Sequence, residues 1–290
     1  MKIIEMATEG LECIARGGTG ECFRLDNETI LKLYYEGIPF ERAYREKDCS
    51  RTALTIGVST AISYELVRSG NRMGVIYEML NGKTLSEIMR EDPRSIPVVA
   101  GKYASLAKSL HSVSGDCVRF GRASDVIRRE VPGLDYISEN GKRNISSFLD
   151  RLDSYDRYVH GDFHPNNVMV CNGELMLIDL GGFSVGCPMF DIATTRFCLL
   201  DSPEARSGGI SSFTGLSAEQ HAEFWKAFSS SYFNAESFEE AESSREDAAL
   251  VRDIELLKRM RFEKIYSVRY EKDSPYFDEI RSEAIRRWNT

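Results

Sequence analysis

Three strand-length runs with apolar residues follow one another near the start of the chain: Leu11 to Arg16, Glu21 to Leu25 and Ile30 to Tyr35. They are separated by Gly17-Gly18-Thr19-Gly20 and by Asp26-Asn27-Glu28. Runs of this length divided by turn-forming residues predict a three-strand meander. Phe40 to Leu54 is charged and helix-compatible. Apolar pieces return at Ala61 to Val67 and Met73 to Met79, joined by a turn at Ser69-Gly70-Asn71. The first 80 or so residues therefore read as a small antiparallel sheet carrying one helix.

Beyond Asn81-Gly82 the pattern becomes helical. Thr84, with Glu87 three residues on, has the spacing of a capping box, in which each side chain accepts a hydrogen bond from an end-of-helix N–H. That places a helix over Thr84 to Arg90. A longer helix is expected from Val98 to His111, with Ala104, Ala107 and Leu110 on one face. Tyr158-Val159 leads into His160, and Val168 to Cys171 and Leu175 to Ile178 flank the turn Asn172-Gly173. From Ser217 to Trp288 the chain is mostly helical and strongly charged. Glu236 to Asp247, rich in Glu, Ser and Ala, reads as a solvated helix face or loop. The fold class is α+β: a small antiparallel-sheet N-terminal lobe over residues 1–79, a linker at about 78–83, and a larger, mainly helical lobe over 80–290.

Composition narrows the function. A chain of 290 residues with 42% hydrophobic content can fill more than one core. No window reaches the roughly 18 to 20 apolar residues a membrane helix needs, and Met1 to Met6 lacks the apolar run of a secretory signal. A soluble, cytoplasmic protein with no membrane partner is expected. Seven cysteines, an odd number without a C-x-x-C pair, read as reduced thiols. The formal charge of −8 argues against nucleic acid as a partner, since phosphate backbones are bound through excess Lys and Arg.

The segment His160-Gly161-Asp162-Phe163-His164-Pro165-Asn166-Asn167 carries the chemistry. Asp162 precedes Asn167 by five residues, the spacing of the protein-kinase H-R-D-x-x-x-x-N loop, in which Asp meets the acceptor hydroxyl and Asn a magnesium ion. Seventeen residues after Asp162, Asp179 closes the apolar strand Leu175 to Ile178 and precedes Leu180-Gly181, matching the metal-binding Asp of D-F-G with Leu in place of Phe. His160 and His164 are four apart, but Gly161 and Pro165 oppose a regular helix, and no Glu lies between them as in H-E-x-x-H, so a zinc site is not expected.

With Gly after the first His and a second His before Pro, the segment resembles the aminoglycoside phosphotransferase and choline kinase superfamily, small-molecule kinases of protein-kinase-like, bilobal fold. Gly17, Gly18, Thr19 and Gly20 sit between two strands, where missing side chains let backbone N–H groups approach phosphates. Lys32, flanked by apolar residues a dozen positions later, stands where kinases keep the phosphate-binding lysine. The following helix offers Glu41 and Glu46 as its carboxylate partner. Arg45-Glu46-Lys47-Asp48 resembles the equivalent helix of aminoglycoside kinases and favours Glu46, with Glu41 the alternative. Tyr77 to Leu85 resembles the interlobe linker, with backbone groups of Glu78 and Leu80 on the nucleotide base. Gly186-Cys187-Pro188-Met189-Phe190-Asp191-Ile192-Ala193 resembles the G-x-P-x-x-D-x-A element, whose Asp supports the catalytic segment.

The resemblance implies an ATP- or GTP-dependent kinase with nucleotide between the lobes, Mg2+ on Asn167 and Asp179, and Asp162 at the hydroxyl of a small metabolite, sugar or aminoglycoside-like acceptor. In the C-terminal helices Glu219, Glu223, Trp225, Tyr232, Phe233, Glu255 and Arg261 are candidates to line the acceptor pocket, without a spacing that separates lining from packing. Two rivals stand beside this reading: a nucleotide-binding pseudokinase, disfavoured because Lys32, Asp162, Asn167 and Asp179 are all present, and a protein kinase, disfavoured because no A-P-E element follows Asp179.

Overall fold

A computed structural model describes residues 3–243, 246–266 and 274–290. The chain forms two compact units, Met1–Thr84 with Asn167–Phe183, and Leu85–Asn166 with Ser184–Thr290. The expected boundary near residues 78–83 makes no provision for residues 167–183, which cluster with the first unit.

In the first unit the strands are β1 (Ile3–Glu5), β2 (Glu12–Arg16), β3 (Gly20–Arg24), β4 (Thr29–Tyr34), β5 (Ser63–Ser69) and β6 (Arg72–Glu78), in the spatial order β1-β5-β6-β4-β3-β2. The meander is antiparallel as expected, but β1 pairs in parallel with β5, so the sheet is mixed. Ile3-Ile4 is too short an apolar run to announce a strand by itself; it pairs because the edge of β5 offers partners. Helix α1 (Phe40–Thr55) follows Pro39, whose fixed φ suits a helix start, and buries Ala43, Glu46, Cys49, Ser50 and Ala53. Those positions recur every three or four residues and form one stripe. Along β4 the side chains alternate: Leu31 and Leu33 join Val67 in one cluster, and Tyr34 joins Ala43, Leu66, Val75 and Tyr77 in the other. Lys32, two residues before Tyr34, shares its face.

A smaller sheet completes this unit: β7 (Gly82–Thr84) pairs with β9 (Val168–Cys171), and β9 with β10 (Glu174–Leu177). The intervening β8 (Arg157–Val159) belongs to the second unit. Asn172 and Gly173 both have positive φ, the conformation a two-residue hairpin turn demands.

The second unit is mainly helical: α2 (Leu85–Glu91), α3 (Ile96–His111), α4 (Cys117–Phe120), α5 (Asp125–Glu130) and α6 (Glu139–Leu152) precede β8. After β11 (Ser184–Gly186) come α7 (Met189–Arg196), a π-helical turn (Phe197–Asp201), α8 (Pro203–Arg206), α9 (Ala218–Phe233), α10 (Phe238–Ser243), α11 (Glu246–Tyr266) and α12 (Pro275–Trp288). Thr84 stands directly before α2, where a cap was expected. Ser217 and Gln220 form a full capping box at α9. The acidic stretch Glu236 to Asp247 spans α10 and the start of α11, with residues 244–245 outside those described. The core is aromatic: Tyr103 of α3 stacks on Phe163 at 4.2 Å and meets Phe224 and Phe228 of α9 edge-on. No helix among the described residues is long and apolar enough to cross a membrane.

Candidate active site

In the first unit β4, α1 and the turn after β10 bring three charged side chains together. Lys32 Nζ lies 2.7 Å from Glu46 Oε1 and 3.0 Å from Asp179 Oδ1. Glu46 is 1% exposed, and its carboxylate also accepts hydrogen bonds from the phenols of Tyr77 (3.1 Å) and Tyr34. Burial by itself would lower the Lys32 pKa; the carboxylates of Glu46 and Asp179 outweigh it and raise the value above that of a free lysine. The ammonium is thus permanently charged. Glu41, the alternative partner, is exposed in the first turn of α1. Tyr34 and Tyr77, which the sequence reading did not single out, are pushed up in pKa by burial and by Glu46, so they remain neutral donors.

Asp179 has φ 59° and ψ 60°, a left-handed backbone uncommon outside glycine. The adjoining Ile178 N–H donates to the Asn167 carbonyl at 3.0 Å, which fixes Asn167 beside the end of β10. Arg45 donates to the carbonyls of Gly181 and Phe183, tying α1 to the turn that carries Asp179.

The glycine turn between β2 and β3 divides by purpose. A Cβ on Gly20 would meet the Leu33 carbonyl oxygen at 2.5 Å, so glycine is needed there to seat β3 on β4. Gly18 has open space around it and Gly17 only ordinary contact, so the fold demands glycine at neither. Thr19 accepts the Tyr35 N–H through its carbonyl at 2.9 Å. At the end of β6 the Glu78 N–H donates to Ile62, whereas the Leu80 N–H makes no hydrogen bond among the described residues.

In the second unit the catalytic-loop candidate is hung from one buried carboxylate. Asp191, at the start of α7, accepts the backbone N–H of His160 (2.7 Å) and of Gly161 (2.8 Å), and lies 3.0 Å from His111 Nε2. Gly161 has φ +83°, which lets the chain turn sharply before Asp162. Phe163 is fully buried, and its carbonyl accepts from Thr195 of α7. With both neighbours tethered, the Asp162 side chain is left half-exposed, 3.5 Å from His164 Nε2. Packing beneath the loop works to raise the Asp162 pKa, but His164, His160 and Lys258 more than reverse this and hold the carboxyl below the usual range. His164 packs edge-on against Phe213, and Asn166 donates to the Phe213 carbonyl at 2.6 Å.

Of the candidate lining residues, Glu219 and Glu223 are exposed, Phe233 is buried, and the other four are engaged within the protein. Trp225 is buried and donates to Glu242, Tyr232 meets His111 at 2.9 Å, Glu255 pairs with Arg196, and Arg261 pairs with Glu130. The residue of α11 whose charge bears on Asp162 is Lys258, which was not among them. In an unbroken run of charged and apolar residues, spacing did not reveal which face of α11 turns toward the loop. Asp191 was legible from its motif, and His111 was not, because it stands eighty residues away in sequence.

A family model described as the phosphotransferase enzyme family matches residues 16–212. No curated protein matches the chain by sequence. Among solved structures, the ADP-bound aminoglycoside phosphotransferase APH(2'')-Ib superposes with a TM-score of 0.59 at 20% identity over 95% of this chain and 91% of that one. Amicoumacin kinase hAmiN, in complex with AMP-PNP, Ca2+ and Ami, gives 0.61 at 16% over 97% and 89%. The choline kinase of Cryptosporidium parvum Iowa II gives 0.50 at 15% over 95% and 88%. These likenesses establish the kinase-like α+β fold. The matched segment spans two thirds of the chain and contains Lys32, Glu46, Asp162, Asn167, Asp179 and Asp191, and on that ground the chain belongs to the phosphotransferase enzyme family.

Proposed function

We propose that this phosphotransferase moves the γ-phosphoryl group of ATP, or of GTP, to a hydroxyl of a small metabolite, sugar or aminoglycoside-like acceptor. The observation that carries the reading is the Lys32 ammonium held between Glu46 and Asp179, a charge fixed in place with no apolar packing need for it. Lys32 binds the α- and β-phosphates and Glu46 braces it, itself held by Tyr34 and Tyr77. Backbone N–H groups of residues 17–20 cover the phosphates; the absence of any steric need for glycine at 17 and 18 supports this. The Glu78 carbonyl and the Leu80 N–H take the base.

Asn167 and Asp179 offer one amide oxygen and one carboxylate. Among the described residues no cluster of three metal-binding side chains occurs, so this pair is no self-sufficient cage. It does suit Mg2+, which is commonly held by one or two carboxylates together with phosphate oxygens and waters. Bound there, the ion would neutralise phosphate charge. Asp162 accepts a hydrogen bond from the acceptor hydroxyl and orients it. Its depressed pKa makes it a weak base toward a resting alcohol, so it takes the proton only as transfer proceeds, in keeping with a loose transition state that asks for positioning first. Seven free thiols support a reducing, cytoplasmic setting.

Incubating the protein with γ-labelled nucleotide, magnesium and a pooled set of hydroxylated metabolites tests the reading. Labelled small molecules are expected. Label on polypeptide would mark a protein kinase instead, and nucleotide binding without turnover a pseudokinase.

A further inference from the structure

We propose that Phe213 binds the acceptor, and that the acceptor carries a ring with an apolar face beside the hydroxyl presented to Asp162. This rests on the phosphotransferase reading and adds the shape class of the acceptor to it. Phe213 belongs to the loop of residues 207–217 that joins α8 to α9. Two contacts tie that loop to the catalytic-loop candidate. The Asn166 side-chain amide donates to the Phe213 carbonyl at 2.6 Å, and the His164 imidazole meets the Phe213 ring edge-on, with centroids 4.9 Å apart. The same imidazole has its Nε2 3.5 Å from Asp162 Oδ2. A single imidazole thus links the phenyl ring to the carboxylate, a separation that a molecule of sugar-ring size can span.

The ring is held in place from within the loop. Ser211, Thr214 and Leu216 are buried. Ser211 Oγ accepts the backbone N–H groups of Phe213 and Thr214, and the Ser211 N–H donates to the Leu216 carbonyl at 2.9 Å. His221 of α9, with Nε2 2.6 Å from Thr214 Oγ1, anchors the same turn to the helix. Phe213 nevertheless stays 41% exposed.

A solitary exposed apolar side chain ordinarily needs no explanation. This one differs because a pinned backbone holds it still against the segment that carries Asp162. An aromatic ring already immobilised loses little freedom when a ligand covers it, and its negative face suits the C–H-rich face of a sugar or cyclitol ring. An acyclic polyol with as many hydroxyls has no such face to offer.

Wild type, Phe213→Ala, Phe213→Trp and Ile210→Ala would be given Mg-ATP with acceptors of two shapes: pentoses, hexoses and cyclitols, or acyclic pentitols and hexitols. Wild type should favour the cyclic class, and Phe213→Trp should keep that preference. Phe213→Ala retains the carbonyl that Asn166 binds. It should raise KM for cyclic acceptors about tenfold, with a smaller change in kcat and with KM for nucleotide and for acyclic acceptors near wild type. Ile210, 67% exposed and paired with Ser217 at the base of the loop, is the control, and its alanine variant should match wild type. An unchanged cyclic-acceptor KM in Phe213→Ala, the same rise in Ile210→Ala, or no transfer by wild type to any cyclic acceptor overturns the proposal and leaves the phosphotransferase reading intact. Failure of wild type to bind or consume Mg-ATP at all overturns both.

Discussion

Glu46 Oε1 accepts from Lys32 Nζ at 2.7 Å, and the two phenols of Tyr34 and Tyr77 close around the same carboxylate. A buried carboxylate that accepts from one cation and two neutral donors holds the lysine to one place. Glu46→Gln should destabilise the protein by about 2–4 kcal/mol, because a buried pair loses one partner while the lysine stays. Tyr34→Phe, removing one hydrogen bond to a charged group, should cost about 1.5–3 kcal/mol. Urea unfolding measures both, and a nucleotide titration should show weaker binding in Glu46→Gln.

Asp162→Asn and Asp179→Asn should each abolish transfer and differ in binding. Asp162 lies with His164 in the second unit, so its variant should retain Mg-nucleotide affinity. Asp179 lies against Lys32 in the first unit, so its variant should lose much of that affinity. Full activity in either variant would remove that residue from the mechanism; calorimetric titration with Mg-AMP-PNP separates the two.

Gly18→Ala and Gly20→Ala should part company. A methyl at residue 18 meets nothing within 4 Å, so thermal unfolding should match wild type while the nucleotide KM rises. At residue 20 the methyl would press on the Leu33 backbone, which cannot move aside within the sheet, and a loss of about 1–3 kcal/mol is expected.

His221 supplies a pH dependence. It is 1% exposed, with Nε2 2.6 Å from Thr214 Oγ1, and burial lowers its pKa from 6.5 to about 4. Between those values the unfolded chain binds a proton that the folded chain refuses. The contribution is therefore complete above pH 6.5 and declines as pH falls toward 4, by up to about 3 kcal/mol for one fully shifted group. Denaturant midpoints from pH 7 to 4 should fall less steeply in His221→Gln.

The sequence alone determined the order of the chemical groups. Glycine turn, Lys32, the helix with Glu46, Asp162 to Asn167, and Asp179 stand at spacings that local backbone geometry enforces: a hairpin, a strand, a helix and a tight loop each fix their residues within a few positions. The meander was legible because turn residues punctuate apolar runs, and α3 because its alanines and leucine repeat at helical spacing. Tertiary structure decided what depends on partners remote in sequence. β1 became a strand through the edge of β5, Glu46 rather than Glu41 met Lys32 because it lies on the buried stripe of α1, and His111 reached Asp191 across eighty residues. Helix α11 is the sharpest case: a run in which nearly every face is charged or buried carries no periodic signal of direction, and only its packing on α7 decided that Glu255 meets Arg196.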